Sequence, residues 1–261
     1  MEERIAKTIV SGFSEKLRSS LDVDAALVGA GPSGLICGAE LARDGYRVAI
    51  FERKLAPGGG VWGGAMLQNE IVFQPELAGL LDEYGIRVNR TADGLLRADS
   101  VETAAALIYR ATHAGARVFN AVTVEDVVFK DNAVRGVVIN WTPVLARGLH
   151  VDPLMVLARA TLDATGHDAA LTARAAAKAG VRLQTPSGGL MGEKPMWAEA
   201  GEVATVENTR EVYPGLFVSG MAANAVFGAP RMGPIFGGMF RSGQRAAKLI
   251  RARLENARGS D

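Results

Sequence analysis

The sequence predicts an α/β chain with a Rossmann-like dinucleotide-binding fold, and three observations carry that prediction. A short apolar strand, Val23 to Val28, runs straight into Gly29-Ala30-Gly31-Pro32-Ser33-Gly34, the G-x-G-x-x-G spacing. A helical apolar pattern follows in Leu35, Ile36, Ala39 and Leu41, and the next strand, Tyr46 to Glu52, ends on an acid 18 residues beyond the last glycine. Pro57-Gly58-Gly59-Gly60 then supplies a second glycine cluster directly after that acid.

Each part has a physical task. One glycine allows the tight turn, one lets bare backbone approach a pyrophosphate, and one permits close packing of helix on strand. The free N–H groups at the start of the helix face the anion. Glu52, at its strand end, is placed to accept hydrogen bonds from the hydroxyls of an adenosine ribose. Three consecutive glycines after that strand resemble the second cluster of two-dinucleotide-binding-domain flavoproteins, so the fold is expected to be related to theirs.

In chain order, Ile5, Ile9, Val10, Phe13 and Leu17 recur at helical spacing and predict an amphipathic helix over 3–19, its stripe serving as core or subunit contact. Trp62 to Gln68 continues the glycine-rich connection. Pro75 to Tyr84 reads as a helix stopped by Gly85, followed by a strand at Ile86 to Val88. The alanine-rich stretch from Ser100 to Ala114 predicts another helix, then a strand at Arg117 to Ala121. Val122 to Phe129 and Val134 to Trp141, joined at Asp131-Asn132, predict a hairpin, so a small β insertion over about 117–141 interrupts a single NAD-binding domain spanning 1–261.

Thr142 to Asp152 is less regular. Thr161 to Ala164 returns to strand character, and a helix through Lys178 follows. Residues 184–202 form the longest irregular stretch, of the kind that serves as a lid or subunit contact. Leu216 to Ser219 is a last buried strand, Phe227 to Gly238 a glycine-punctuated loop, and Met239 to Leu254 a final helix before a charged, frayed tail.

With 29 Lys and Arg against 28 Asp and Glu, the balance offers nucleic acid or a membrane surface no strong attraction, so neither is expected as a partner. No apolar run approaches the length of a membrane span. The one cysteine, Cys37, rules out an internal disulfide and a Cys-rich metal site, which fits a cytoplasmic location.

Three histidines remain for chemistry. His113 falls near the end of a predicted helix, as a solvated or dipole-capping side chain. His150 and Asp152 lie two apart in an extended segment and share a side. With His167, in Thr165-Gly166-His167-Asp168 after a strand, they offer two imidazoles and a carboxylate, donors that suit a non-haem Fe(II) site. The alternative is structural: Asp152 initiates the turn before Pro153, and His167 caps a helix.

The glycine motif, Glu52, Ala56 to Gly60, Asn140-Trp141-Thr142, His150 to Pro153, Ala164 to Asp168, and Asn224 through Arg231-Met232-Gly233-Pro234 together resemble the Thi4-type thiamine thiazole synthase family over nearly the whole chain. The resemblance implies an enzyme that takes NAD as substrate, joins its ADP-ribose part to glycine and sulfur, and forms an ADP-thiazole carboxylate for thiamine biosynthesis. It assigns Ser33, Glu52, Arg53, Gly60, Val124 and Met221 to the dinucleotide, with His150 and Asp152 reaching it from an adjacent subunit of a homo-octamer. Asp152 and His167 would ligate Fe(II), Arg231 would hold the glycine carboxylate, and His150 or Asp168 would move protons.

Two departures refine this. Where fungal and plant members carry a cysteine that gives up its sulfur, this chain has His150, as in the archaeal and bacterial branch that uses free sulfide and turns over repeatedly. Where many flavoproteins have Gly-Asp after the final strand, it has Gly220-Met221. Rival functions are a flavin- or NAD-dependent oxidoreductase and a nonenzymatic nucleotide-binding module.

Overall fold

A computed structural model describes residues 1–258. Its spine is a parallel sheet of β1 (Asp22–Val28), β2 (Val48–Glu52), β6 (Arg117–Asn120), β9 (Leu154–Asp163) and β11 (Leu216–Val218), with β10 (Arg210–Tyr213) antiparallel at one edge, in the order β10-β11-β9-β1-β2-β6. Val28 pairs with Phe51 on one side and Asp163 on the other, and Val218 pairs with Asp163 in turn. The carboxyl ends of four strands therefore finish level, and the segments that follow them open onto one edge, where ligands of such sheets bind.

From Ala25 onward the first strand is apolar on both faces because both faces are covered. On one face lie α2 (Pro32–Arg43), α4 (Ser100–His113) and α9 (Gly237–Arg258), packing Leu35, Ile36, Leu107 and Phe240 against Leu27 and Ile50. On the other, β7 (Val122–Lys130) and β8 (Ala133–Trp141) bury Val127 and Val137 with Val28 and Phe51. The inserted hairpin proper begins at Val122, since residues 117–120 belong to β6 and pair with β2. The hairpin joins the main sheet through β8, antiparallel to the first half of β9.

A second, three-stranded sheet was absent from the expectation. It comprises β3 (Glu70–Phe73), β4 (Asn89–Arg90) and β5 (Leu96–Asp99), followed in sequence by α4, with α3 (Ala78–Tyr84) between β3 and β4. The strand expected at Ile86 to Val88 begins only at Asn89: left-handed Gly85 ends α3, and Ile86 is buried in the core before pairing starts. α5 (Thr142–Ala146) and α8 (Met221–Phe227) also went unforeseen, both shorter than the helical periodicity can register. The irregular stretch at 184–202 is shorter than expected, because α7 (Ala198–Glu207) starts inside it. The final helix continues to Arg258, so the tail expected beyond Leu254 is helical to that point, and residues 259–261 lie outside the described residues.

The apolar stripe of α1 (Glu2–Arg18) reaches the core only at its C-terminal end. None of its residues is fully buried; Leu17 packs half-buried against the cluster around Val28 and Phe51, and Phe13 meets Phe119 and Trp141, while Ile5, Ile9 and Val10 stand exposed.

Glu202 on α7 is a buried carboxylate that accepts hydrogen bonds from the Gln74 side-chain amide and from the Gly238 N–H at 2.6 Å, tying α7 and the end of β3 to the first turn of α9. Burial raises its pKa above the ordinary carboxylate value, against the lowering effect of those donors. A raised carboxylate pKa means that the fold holds the proton more tightly than the unfolded chain does. The charged form therefore costs stability above the folded pKa, and the cost disappears as pH falls to the ordinary carboxylate value. Glu202→Gln is expected to raise Tm at neutral pH by about 2–4 °C, the equivalent of roughly 1 kcal/mol in a domain of this size, with the gain shrinking as pH falls toward 4. Calorimetry of both proteins across that range checks it.

Candidate functional site

A cleft of about 970 Å3 opens at the level strand ends. The glycine loop forms its floor, and the three signature glycines behave differently. A methyl group on Gly29 would lie 2.4 Å from the Ala164 carbonyl oxygen, and one on Gly34 would lie 2.2 Å from the Gly29 carbonyl oxygen, so neither position admits a side chain. A methyl on Gly31 meets no protein atom within 4 Å, because Gly31 faces the cleft. The second cluster lies against the first, with the Gly58 N–H donating to the Ala30 carbonyl at 2.7 Å.

Glu52 is buried at the end of β2. Its two carboxylate oxygens accept from the Ala30 N–H at 2.9 Å and the Lys54 N–H at 2.8 Å. The carboxylate thus holds the glycine loop to the strand end and keeps further lone pairs for hydroxyls. Ser33, at the start of α2, also lines the cleft, its hydroxyl 3.2 Å from that of Ser219. Arg53, Gly60, Val124, His167, Asp168, Met221 and Arg231 line it as well. Lys54 and Arg174 do too, so four cationic side chains face two carboxylates, a balance suited to a pyrophosphate.

The turn after β9 is fixed by Asp163, which sequence reasoning did not single out. Its fully buried carboxylate accepts four hydrogen bonds, two from Thr165 and two from Thr172, all between 2.7 and 3.0 Å. Thr165 also accepts from the Ala170 N–H at the start of α6 (Ala170–Ala179). His167 is therefore not the cap of that helix; Thr165 and Asp163 take its Ala170 and Thr172 amides, and His167 and Asp168 are left exposed. Asp168 stands 3.9 Å from Arg53, an exposed pair that constrains little. His167 Nδ1 lies 2.7 Å from Glu193 Oε1, a partner 26 residues away that no local pattern announced.

Arg231 sits on a loop gripped from two sides. Its N–H donates to the Lys194 carbonyl and its carbonyl accepts from the Trp197 N–H, while Val72 bonds Pro234 and Phe236 across the loop. Fully buried Asn224 donates to the carbonyls of Gly201 and Pro230 and to the Thr205 hydroxyl. Gly201 gives this loop room, since a methyl there would come within 2.8 Å of the Pro230 carbonyl. Among the described residues no carboxylate pairs with the Arg231 guanidinium, which leaves it for an anionic ligand.

His150 and Asp152 are elsewhere. Both lie exposed on the loop between α5 and β9, outside the cleft-lining set. Among the described residues, no group of three His, Cys, Asp or Glu side chains could hold a metal ion. The donors fit Fe(II) in chemistry, an imidazole and a carboxylate, but within one chain they are not assembled. Cys37, fully buried in α2, is also absent from the cleft, and burial pushes its thiol far up, out of thiolate range.

Comparison with known proteins settles the family. The Thi4 family model matches residues 6–236. The chain belongs to the Thi4 family. A thiamine thiazole synthase of Methanothermobacter thermautotrophicus is 52% identical over 252 residues, 97% of this chain and 98% of that protein. One from Thermotoga maritima is 50% identical over 250 residues, 96% and 97% of the two chains. The crystal structure of Thermovibrio ammonificans THI4 superposes with a TM-score of 0.96 at 50% identity, covering 98% of this Thi4 chain and 99% of that one. A geranylgeranyl bacteriochlorophyll reductase-like protein of Thermoplasma acidophilum, 12% identical with a TM-score of 0.52 over 92% of this chain and 80% of its own, shares the fold alone. Among the described residues, no helix is long and apolar enough to cross a membrane.

Two substitutions separate scaffold from site. Gly34→Ala is expected to lower stability by ~1–3 kcal/mol through backbone overpacking, while Gly31→Ala keeps the wild-type Tm and loses at least about tenfold in NAD affinity, the equivalent of ~1.4 kcal/mol. Glu52→Gln replaces an acceptor facing two N–H donors with an amide that satisfies only one, so both Tm and NAD affinity should fall, the latter by ~1–3 kcal/mol. Calorimetric unfolding and NAD titration check all three.

Proposed function

We propose that this chain is a sulfide-using thiamine thiazole synthase: it converts NAD, glycine and sulfide to ADP-5-ethyl-4-methylthiazole-2-carboxylate, with Fe(II) bound at His167 and at Asp152 of a neighbouring copy. Support for the activity comes from family membership, with about half of all positions identical to thiazole synthases over nearly the full length. The observation carrying the sulfide reading is the thiol inventory. The one cysteine is buried, protonated and outside the cleft, and the exposed loop that would bring a donor carries His150 instead.

In this reading the ADP half of NAD lies along the glycine floor, with its ribose on Glu52 and its phosphates facing the α2 N-terminus, Arg53 and Lys54. Loss of nicotinamide and opening of the second ribose expose a carbonyl to which the glycine amine adds. Arg231 holds the glycine carboxylate through its paired donors and so orients that amine. Fe(II), when bound, supplies positive charge that stabilises developing anions and lowers the pKa of hydrosulfide. Asp168 of the cleft, or His150 brought in by a neighbouring copy, would carry protons during the dehydrations that close the ring.

The bare stripe of α1 and the exposed His150–Asp152 loop both suit an assembly in which copies complete one another's sites, and we take that assembly to be a homo-octamer. A cytoplasmic location belongs to the same proposal, in keeping with a lone, buried thiol.

Anaerobic incubation with NAD, glycine, sulfide and Fe(II), followed by mass spectrometry, should show product in excess of enzyme and a protein mass unchanged by loss of sulfur. Cys37→Ala should retain that activity, and a single turnover with sulfur lost from Cys37 would overturn the mechanism. Asp152→Ala and His167→Ala should each be inactive, yet co-expressed they should regain roughly a quarter of wild-type activity, because random pairing in a two-fold contact rebuilds one intact site per mixed pair. Failure to regain activity would place both residues in one chain's site.

A further inference from the structure

The His167 imidazole has a partner on only one of its two ring nitrogens among the described residues. Glu193 Oε1 lies 2.7 Å from Nδ1, and the Glu193 side chain is only 17% exposed against 50% for the ring. This carboxylate is not a loose surface group. It belongs to the segment 191–197, whose N–H groups at Met191, Gly192 and Lys194 donate to the carbonyls of Val226, Ala225 and Ala229. The same segment grips the backbone of Arg231 through Lys194 and Trp197. One braced ribbon therefore reaches both the histidine and the arginine of the cleft.

We propose that Glu193 is a positioning residue for His167: it accepts the Nδ1–H, fixes the ring's rotation, and leaves Nε2 as the bare nitrogen available in the cleft. The proposal rests on the reading of His167 as a metal ligand only for its consequence, not for the contact itself. A neutral imidazole carries one ring proton, and in water it prefers Nε2, the wrong nitrogen for a donor at that position. A carboxylate acceptor at Nδ1 reverses the preference and makes Nε2 a better donor, as partners of metal-binding histidines do. Thr165 and Asp163 set the backbone from which the ring projects, but neither touches the ring. Orientation is thus left to Glu193. The ribbon also couples the two halves of the site, since displacing it would move the histidine and the arginine together.

The test uses full-length 15N-labelled protein at alkaline pH, where imidazoles are neutral. Three histidines keep the spectrum simple, and His113→Gln and His167→Gln assign it. Wild-type His167 should show the Nδ1–H tautomer. Glu193→Ala should revert it to the Nε2–H form with Tm unchanged, and Glu193→Gln, whose amide oxygen still accepts, should restore the wild-type signature. In parallel, Co(II) titration read by its visible absorption should show affinity falling about 10–100-fold in Glu193→Ala and recovering most of that loss in Glu193→Gln. An Nε2–H wild-type tautomer, or an alanine variant with wild-type tautomer and Co(II) affinity, overturns the proposal. If the wild type binds no Co(II), the metal reading of His167 fails by itself, and the tautomer measurement still decides the role of Glu193.

Discussion

Everything in this site hangs on one close backbone contact. Gly29 leaves β1 directly against the Ala164 carbonyl, and the Ala164 N–H donates to the Val28 carbonyl at 2.8 Å, so the nucleotide turn and the histidine turn begin from the same pair of hydrogen-bonded strands. Gly34 then seats α2 on Gly29. With no side chains between these backbones, the glycine floor and the His167 turn are held at a separation set by van der Waals contact, and a single methyl would change it. Close packing transmits such a change without absorbing it.

Around that contact the fold stabilises its turns with buried polar groups that are almost fully partnered. Asp163 takes four hydrogen bonds and Glu52 two, and each belongs to a strand end whose backbone must leave the sheet in a defined direction. An acid in such a place contributes because its donors are fixed amides and hydroxyls that would otherwise be unsatisfied. Glu202 differs, since one of its oxygens lacks a partner and burial raises its pKa. It joins α7, the end of β3 and α9 behind the Arg231 loop, where burial opposes its charge and the Gln74 and Gly238 donors favour it. The arginine loop is accordingly the part of the cleft held by tertiary contacts on both flanks, where the nucleotide floor is held largely by its own strand and helix.

Much of the stretch around the glycine turn was legible in the sequence because its determinants are local. Strand, glycine turn, helix and terminal acid lie within Val23 to Glu52, and each reads out a steric rule that applies wherever the chain is placed. The small sheet of β3, β4 and β5 was not legible, because its strands are two to four residues long and acquire meaning only by pairing. The short helices α5 and α8 failed to register for the same reason of length. Its position after a strand makes His167 a candidate helix cap, but Thr165 is the better acceptor and takes the Ala170 amide.

The sequence by itself determined the family, the glycine turn between β1 and α2 and the residue types offered for chemistry, since these depend on spacing along the chain and on which side chains exist at all. Having one cysteine, at position 37, and a histidine at position 150 is a matter of composition that no folding can alter. Only the tertiary structure decided that His167 meets Glu193, that Asn224 and Gly201 hold the Arg231 loop, and that Ile5, Ile9 and Val10 of α1 and the His150–Asp152 loop stand outside this chain's own core and cleft. Those are contacts between residues tens of positions apart, or faces left without a partner, and their energies arise from burial and geometry that exist only once the strands have aligned.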